Sequence, residues 1–293
     1  MSDSALFISG SLLTTDYLDQ AIKAAPAYLS VDVAALRAKL DGIAAAFPQS
    51  LKTNESQTED DFIWPVLGAL GWTESLRQQN LTVTGRDDVP DGLLFADPQA
   101  KAAANAIPEQ HKRYAHGLAM VESKRWARPL DRASGKDETT APSTQMLRYL
   151  RRCDDITGGK LRWGILTNGT KWRLYWAGAR SVSEEFLEID LGRVLALGGD
   201  DDLDEADRDH WLRVFVSMFC RDAFVKDGTD NRSFHERARA EAASRDDIRY
   251  IYSTFPIVAE KETEKWGSYK SEELCLAWIN ALMAGRPDAE IGG

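Results

Sequence analysis

The sequence predicts an α/β protein with helical extensions at both ends, and three observations carry that prediction. Short apolar runs of strand length, Leu93-Leu94-Phe95 and Leu118 to Lys124, lie in the first half of the chain. Asn168-Gly169 separates two β-prone runs, Arg162 to Thr167 and Thr170 to Trp176; Asn-Gly favours a hairpin turn because both residues tolerate positive φ. Stretches with helical spacing, at 59–72 and 145–153, stand between the strand-like runs. The 293 residues suffice for one large domain or one domain with appendages. Composition divides them into an N-terminal helical extension (1–52), a core (53–195) and an acidic, helical C-terminal region (196–293).

Residues 5–47 read as helices, with Thr15-Asp16 as a cap and helical spacing from Val31 to Leu40. A polar turn at 48–58 precedes a helix that lines up Phe62, Ile63, Val66, Leu67 and Leu70, with Glu59 on the same side one turn earlier. Pro65 either kinks this helix or lies in its first turn. Glu59 is either a charge complementing the helix dipole or a site residue. Leu81 to Thr84 alternates as a strand does, Gly85 to Asp88 reads as a turn, and Asp91 stands near the start of the next strand. Residues 97–117 form a helix or a loop over the site. Arg125 to Pro142 is polar and reads as a mobile loop, whose Arg128, Arg132 and Lys136 either grip phosphates or stay solvated. The helix after it sets Met146, Leu147, Leu150 and Cys153 on an apolar face, and Gln145, Arg148, Tyr149 and Arg152 on a polar face free to meet a ligand. Phe186 to Leu191 adds a strand. Past an acidic boundary at 200–205, helices are expected at 207–225, 233–252 and 274–283, with the aromatics at 255, 266 and 269 packed on the core.

The chemistry concentrates between Asp88 and Tyr149. On a strand, Glu122 and Lys124 project to the same side, about 6.5–7 Å apart. A carboxylate and an ammonium on an apolar strand are either an exposed edge pair or a site that binds something, because burying charge is costly unless it is paired or held by metal. Asp91 brings a second carboxylate at the start of another apolar run. Hard divalent cations take oxygen ligands of this kind, together with water and phosphate.

Pro90-Asp91 followed by Glu122-Ser123-Lys124 resembles the PD-(D/E)xK nuclease signature. Glu59 to Trp72, ending in Leu70-Gly71-Trp72, is similar to the helix that precedes the core strands in the nuclease domains of type I and type IIG restriction enzymes, and Gln145 with Tyr149 resembles the Gln-x-x-x-Tyr helix that follows the catalytic strand there. The similarity covers residues 53–180. It implies a restriction-endonuclease-like core, a mixed sheet flanked by helices, and a DNA endonuclease of a restriction–modification or related phage-defence system using Mg²⁺, with Mn²⁺ as a substitute. Asp91 and Glu122 map to its metal ligands and Lys124 to its catalytic lysine. Glu59 and Gln145 map to supporting positions, with Glu55 and Asp60 competing for the place of Glu59. Arg125, Arg128, Arg148, Tyr149 and Arg152 are the expected DNA contacts.

The net charge of −10 speaks against a general nucleic-acid binder, but residues 111–180 hold 15 Lys/Arg against 6 Asp/Glu. That is a balance of +9, leaving −19 for the rest; the basic stretch is either an electrostatic footprint for DNA or charge that mixes in space. Cys153, Cys220 and Cys275 are odd in number and far apart, which fits free thiols in a reducing cytoplasm. His111, His116, His210 and His235 show no ligand spacing. Neither a signal peptide nor a membrane span is expected. No methyltransferase motif, P-loop or Gly-rich cofactor motif is read in the sequence; together with the resemblance, that implies either a methyltransferase or specificity subunit as partner or a fragment of a larger restriction system, and a homodimer is compatible. Two rival readings stand beside the nuclease: a catalytically silent DNA-binding or scaffolding subunit, and an unrelated interaction protein in which Glu59, Asp91, Glu122, Lys124 and Gln145 are scattered in space.

Overall fold

The computed structural model describes residues 8–133, 139–197, 199, 203–228 and 230–245. Lys136, Cys275, the helix expected at 274–283 and the aromatics at 255, 266 and 269 lie outside the described residues. Seven strands form one mixed sheet: β1 (Ile8–Ser9), β2 (Ser75–Arg77), β3 (Gly92–Leu94), β4 (Ala119–Ser123), β5 (Trp163–Thr167), β6 (Lys171–Trp176) and β7 (Phe186–Asp190), in the order β1-β7-β6-β5-β4-β3-β2. Only β4 and β5 run parallel; every other neighbouring pair is antiparallel. Parallel neighbours need a crossover, and the chain between β4 and β5 supplies it through α8 (Pro142–Thr157).

Cross-strand pairing sorts the residues by face. Leu93, Met120 and Tyr175 lie in one row with Gly164, and Leu166 follows two residues on; these side chains pack with Met146, Leu150 and Cys153 of α8 in one apolar cluster. Tyr114 and Ala104, from the segment of α6 (Pro98–Asn105) and α7 (Gln110–Arg113), join the same cluster. On the opposite face Trp172 meets Phe215 and Phe219 of α9 (Glu205–Phe219) edge-on at 5.6 and 5.9 Å. Phe62, Phe47 and Trp126 make an aromatic triangle with centroids 4.8–5.3 Å apart. Among the early helices, α1 (Thr15–Asp19) buries Leu18 and α3 (Val33–Ala46) buries Leu40, while the 3-10 turn at Ala21–Ala24 buries Ile22 ahead of the short α2 (Pro26–Leu29). Met1–Arg239 forms one compact unit and Ala240–Gly293 a second, whose described residues, 240–245, are helical.

Several local expectations change in the folded chain. Residues 5–47 are not all helical: Ile8–Ser9 pairs with β7, and Gly10 turns the chain away at φ +91°, where a Cβ would lie 1.8 Å from the Phe186 carbonyl oxygen. The strand before Asp91 is Ser75–Arg77 rather than 81–84, because the Asn80 side chain donates to the carbonyls of Thr82 and Gly85 and ties that stretch into a loop. Residues 125–133 are fastened rather than mobile: Trp126 N donates to Thr58 Oγ1, Asn168 Nδ2 to Arg128 O, and Asp131 takes both terminal nitrogens of Arg173 at 2.6 Å. Pro65 falls in the first turn of α5 (Trp64–Ala69), which continues α4 (Glu55–Thr58) through a π-helical stretch, Glu59–Ile63. The hairpin forms as expected, with Asn168 Oδ1 accepting from Lys171 N and Gly169 at φ +85°.

Gly92 is a packing position. A Cβ there would lie 2.5 Å from Cη2 of Trp64. Gly92→Ala is therefore expected to cost about 1–3 kcal/mol as the rigid indole is displaced, read as a fall in melting temperature on the order of 5 °C. An unchanged melting curve would show that the indole has room to move.

Candidate active site

The helix from 55 to 69, the β2–β3 hairpin and β4 converge on one set of charges. Asp91, immediately before β3, accepts two hydrogen bonds on Oδ2, from Ser123 N at 2.7 Å and Ser123 Oγ at 2.9 Å. The β3–β4 register, Gly92 opposite Val121, brings Asp91 beside Glu122. Glu122, 2% exposed, accepts from Lys124 Nζ on Oε1 at 2.6 Å. Its Oε2 is buried with no hydrogen-bond partner among the described residues. Lys124 is itself buried and is held from behind by its backbone N–H on Thr167 O at 2.8 Å.

The helix contributes two carboxylates one turn apart. Glu55 lies 3.8 Å from Lys124 Nζ and accepts from Arg125 N at 3.3 Å. Glu59, on the π-helical stretch, pairs with Arg77 of β2 at 2.6 Å, and Arg77 lies over the Trp64 ring at 4.2 Å. The competition between Glu55 and Glu59 thus resolves into two roles: Glu55 meets the lysine, while Glu59 is tied to Arg77. Asp60 stays largely exposed, 3.5 Å from Arg77.

Electrostatics follow from this crowding. Burial and then the Asp91 charge push the Glu122 carboxyl up to about 8, with Lys124 compensating only in part. Burial likewise raises Glu55 and Glu59, with Asp91 adding to both. Burial works against the Lys124 ammonium, but Glu122 and Glu55 outweigh it and its pKa rises. The site holds more acid than one lysine neutralises, so a cation would relieve it. The donors suit a hard divalent ion: carboxylate oxygens only, an unpartnered buried Oε2 on Glu122, and an Asp91 whose Ser123 bonds both fall on one oxygen. Among the described residues no group of three or more His, Cys, Asp and Glu side chains is arranged to hold a metal by itself; a two-carboxylate site completed by water and phosphate needs none.

Gln145 reaches the site through Tyr149, donating from Nε2 to the phenol at 2.6 Å. Tyr149 does not lie on an exposed face as expected: its ring is buried in the α8 cluster, and burial and then the Glu122 charge raise its pKa to about 12. Arg128 is buried as well. Arg125 is exposed beside Glu55. Arg148 and Arg152 are partly exposed and paired with Asp88, whose local sequence, Gly85 to Asp88, signals only a turn. His210 and His235 are core residues, bonded to Tyr28 and to the Met218 carbonyl. Comparison with protein-family models, curated proteins and solved structures finds no match.

Proposed function

We propose that this chain is a metal-dependent DNA endonuclease with a restriction-endonuclease-like core, acting in a restriction–modification or related defence system. The observation that carries the reading is the convergence of Asp91, Glu122 and Lys124 at adjoining strands, with one buried Glu122 carboxylate oxygen left without a hydrogen-bond partner among the described residues. The element order supports it: a helix, three antiparallel strands, a crossover helix and a parallel fourth strand. So does the basic stretch at 111–180 that carries β4 and α8.

Asp91 and Glu122 are the residues to hold Mg²⁺ or Mn²⁺, which when bound polarises a phosphoryl oxygen and lowers the pKa of its water. Ser123 fixes the Asp91 carboxylate through two hydrogen bonds. Lys124, held by Glu122 and within reach of Glu55, presents its ammonium where it can orient the attacking water and offset charge developing on the phosphate. Glu59 with Arg77, and Gln145 with Tyr149, brace the two sides of this group.

The test is incubation of supercoiled plasmid with the purified chain in Mg²⁺ or Mn²⁺, and with EDTA. Nicked or linear product that needs the metal supports the reading. Metal-independent cleavage overturns the site. Binding without cleavage moves the chain to the silent DNA-binding reading, or to an enzyme that needs a methyltransferase or specificity subunit.

A further inference from the structure

Asp88 is a charged residue that the catalytic group does not use. It is 1% exposed, yet it lies on the loop before Asp91 and faces two arginines of α8. Its Oδ1 accepts from Arg148 Nε at 2.8 Å, and its Oδ2 pairs with Arg152 Nη1. Its backbone carbonyl accepts from Leu81 N at 2.8 Å, which ties the loop across its own width. Arg148 and Arg152 are four residues apart, so their Cβ atoms lie about 5–6 Å apart on one face of the helix.

We propose that Asp88 is a positioning residue that holds Arg148 and Arg152 as one preformed fork for backbone phosphates of the DNA substrate; this rests on the nuclease reading. Each guanidinium carries five N–H donors. Arg148 gives one nitrogen to Asp88 and lies 5.6 Å from the Tyr149 ring; Arg152 gives one nitrogen to Asp88. Among the described residues neither makes a further hydrogen bond or ion pair, and 47% and 38% of their side chains remain exposed. The planar forks are thus oriented before a ligand arrives, and less rotamer freedom is lost when they close on phosphate oxygens. Gln145, Arg148 and Arg152 lie along one stripe of α8, and Asp88, which both arginines meet, stands three residues before Asp91. The fork therefore flanks the catalytic group, where a duplex seated on it would place its neighbouring phosphates.

The test uses the full chain, a fluorescent duplex and Ca²⁺ in place of Mg²⁺, with anisotropy titrations over a range of salt. Arg148→Ala with Arg152→Ala is expected to reduce the slope of log affinity against log salt by about two, since each phosphate contact contributes about 0.9. Arg148→Lys with Arg152→Lys keeps the charge but loses the fork, so affinity falls by about tenfold. Asp88→Asn makes the surface more positive yet is expected to weaken binding by a similar factor, because the arginines lose their anchor. Tighter or unchanged binding by a folded Asp88→Asn protein overturns the positioning role, as charge alone would then govern. If Asp88→Asn does not fold, the lysine pair decides, and wild-type affinity in that variant overturns the fork. A wild-type chain that binds no duplex overturns the nuclease reading as well; a binding wild type with indifferent variants overturns the fork alone.

Discussion

Replacing Lys124 with alanine is expected to lower metal-dependent plasmid cleavage by at least about 10²–10³-fold, the scale on which removing one preorganised donor acts. The ammonium is buried, is bonded to Glu122 at 2.6 Å and stands 3.8 Å from Glu55. It is rigid before the reaction and need not reorganise when charge develops on the phosphate. The substitution also strips Glu122 of a partner, which removes an influence that lowers its carboxyl pKa. Removing the ammonium leaves more acid for a cation to relieve, so metal affinity should hold or rise while the rate falls, and a metal titration of single-turnover cleavage separates the two: saturating metal does not restore the lost donor. A folded Lys124→Ala protein that cleaves as fast as wild type would remove the lysine from the chemistry.

The second large effect is a stability that responds to pH and metal in opposite senses. Glu122 has a folded-state carboxyl pKa of about 8 against an ordinary 4.5. Between those values the folded state holds a proton that the unfolded state has released, so stability falls as pH rises. His210 and His235 act the other way: burial lowers both to about 4 from 6.5, so their influence is an increase in stability that is complete by about pH 6.5. From there to about pH 8 the Glu122 effect stands apart from theirs and amounts to about 2 kcal/mol. Melting of EDTA-treated protein should drop on the order of 5 °C across that window. Saturating Mg²⁺ or Mn²⁺, which binds the ionised carboxylate, should abolish the drop. A melting temperature that is flat without metal, or one that falls equally with it, would contradict a buried, metal-seeking Glu122.

Much of the frame was legible from local signals. The Asn168-Gly169 hairpin, the strand carrying Glu122 and the amphipathic helix at 142–157 are set by turn chemistry and apolar periodicity, which act over a few residues. The placement of Tyr149 was not legible. A tyrosine among Gln145, Arg148 and Arg152 reads as polar, but α8 lies close enough to the sheet to bury the ring and leave its hydroxyl for Gln145. The fastening of the loop after Lys124 was not legible for a similar reason: its anchors, Thr58 on one side and Asn168 and Arg173 of the hairpin on the other, come from two distant parts of the chain.

What the sequence determined by itself is therefore the central hairpin, the strand of Glu122, the helix after it and the residue types of the candidate site, Asp91, Glu122 and Lys124, because strand alternation dictates that Glu122 and Lys124 share a face. What only the tertiary structure decided is the company those residues keep. Antiparallel pairing set Asp91 beside Glu122, the π-helical turn assigned Glu55 to the lysine and Glu59 to Arg77, and the loop before β3 delivered Asp88 to two arginines some 60 residues away. Each of these depends on burial and on opposite charges meeting across the fold. Local sequence does not encode which distant charge will be there to meet a buried one.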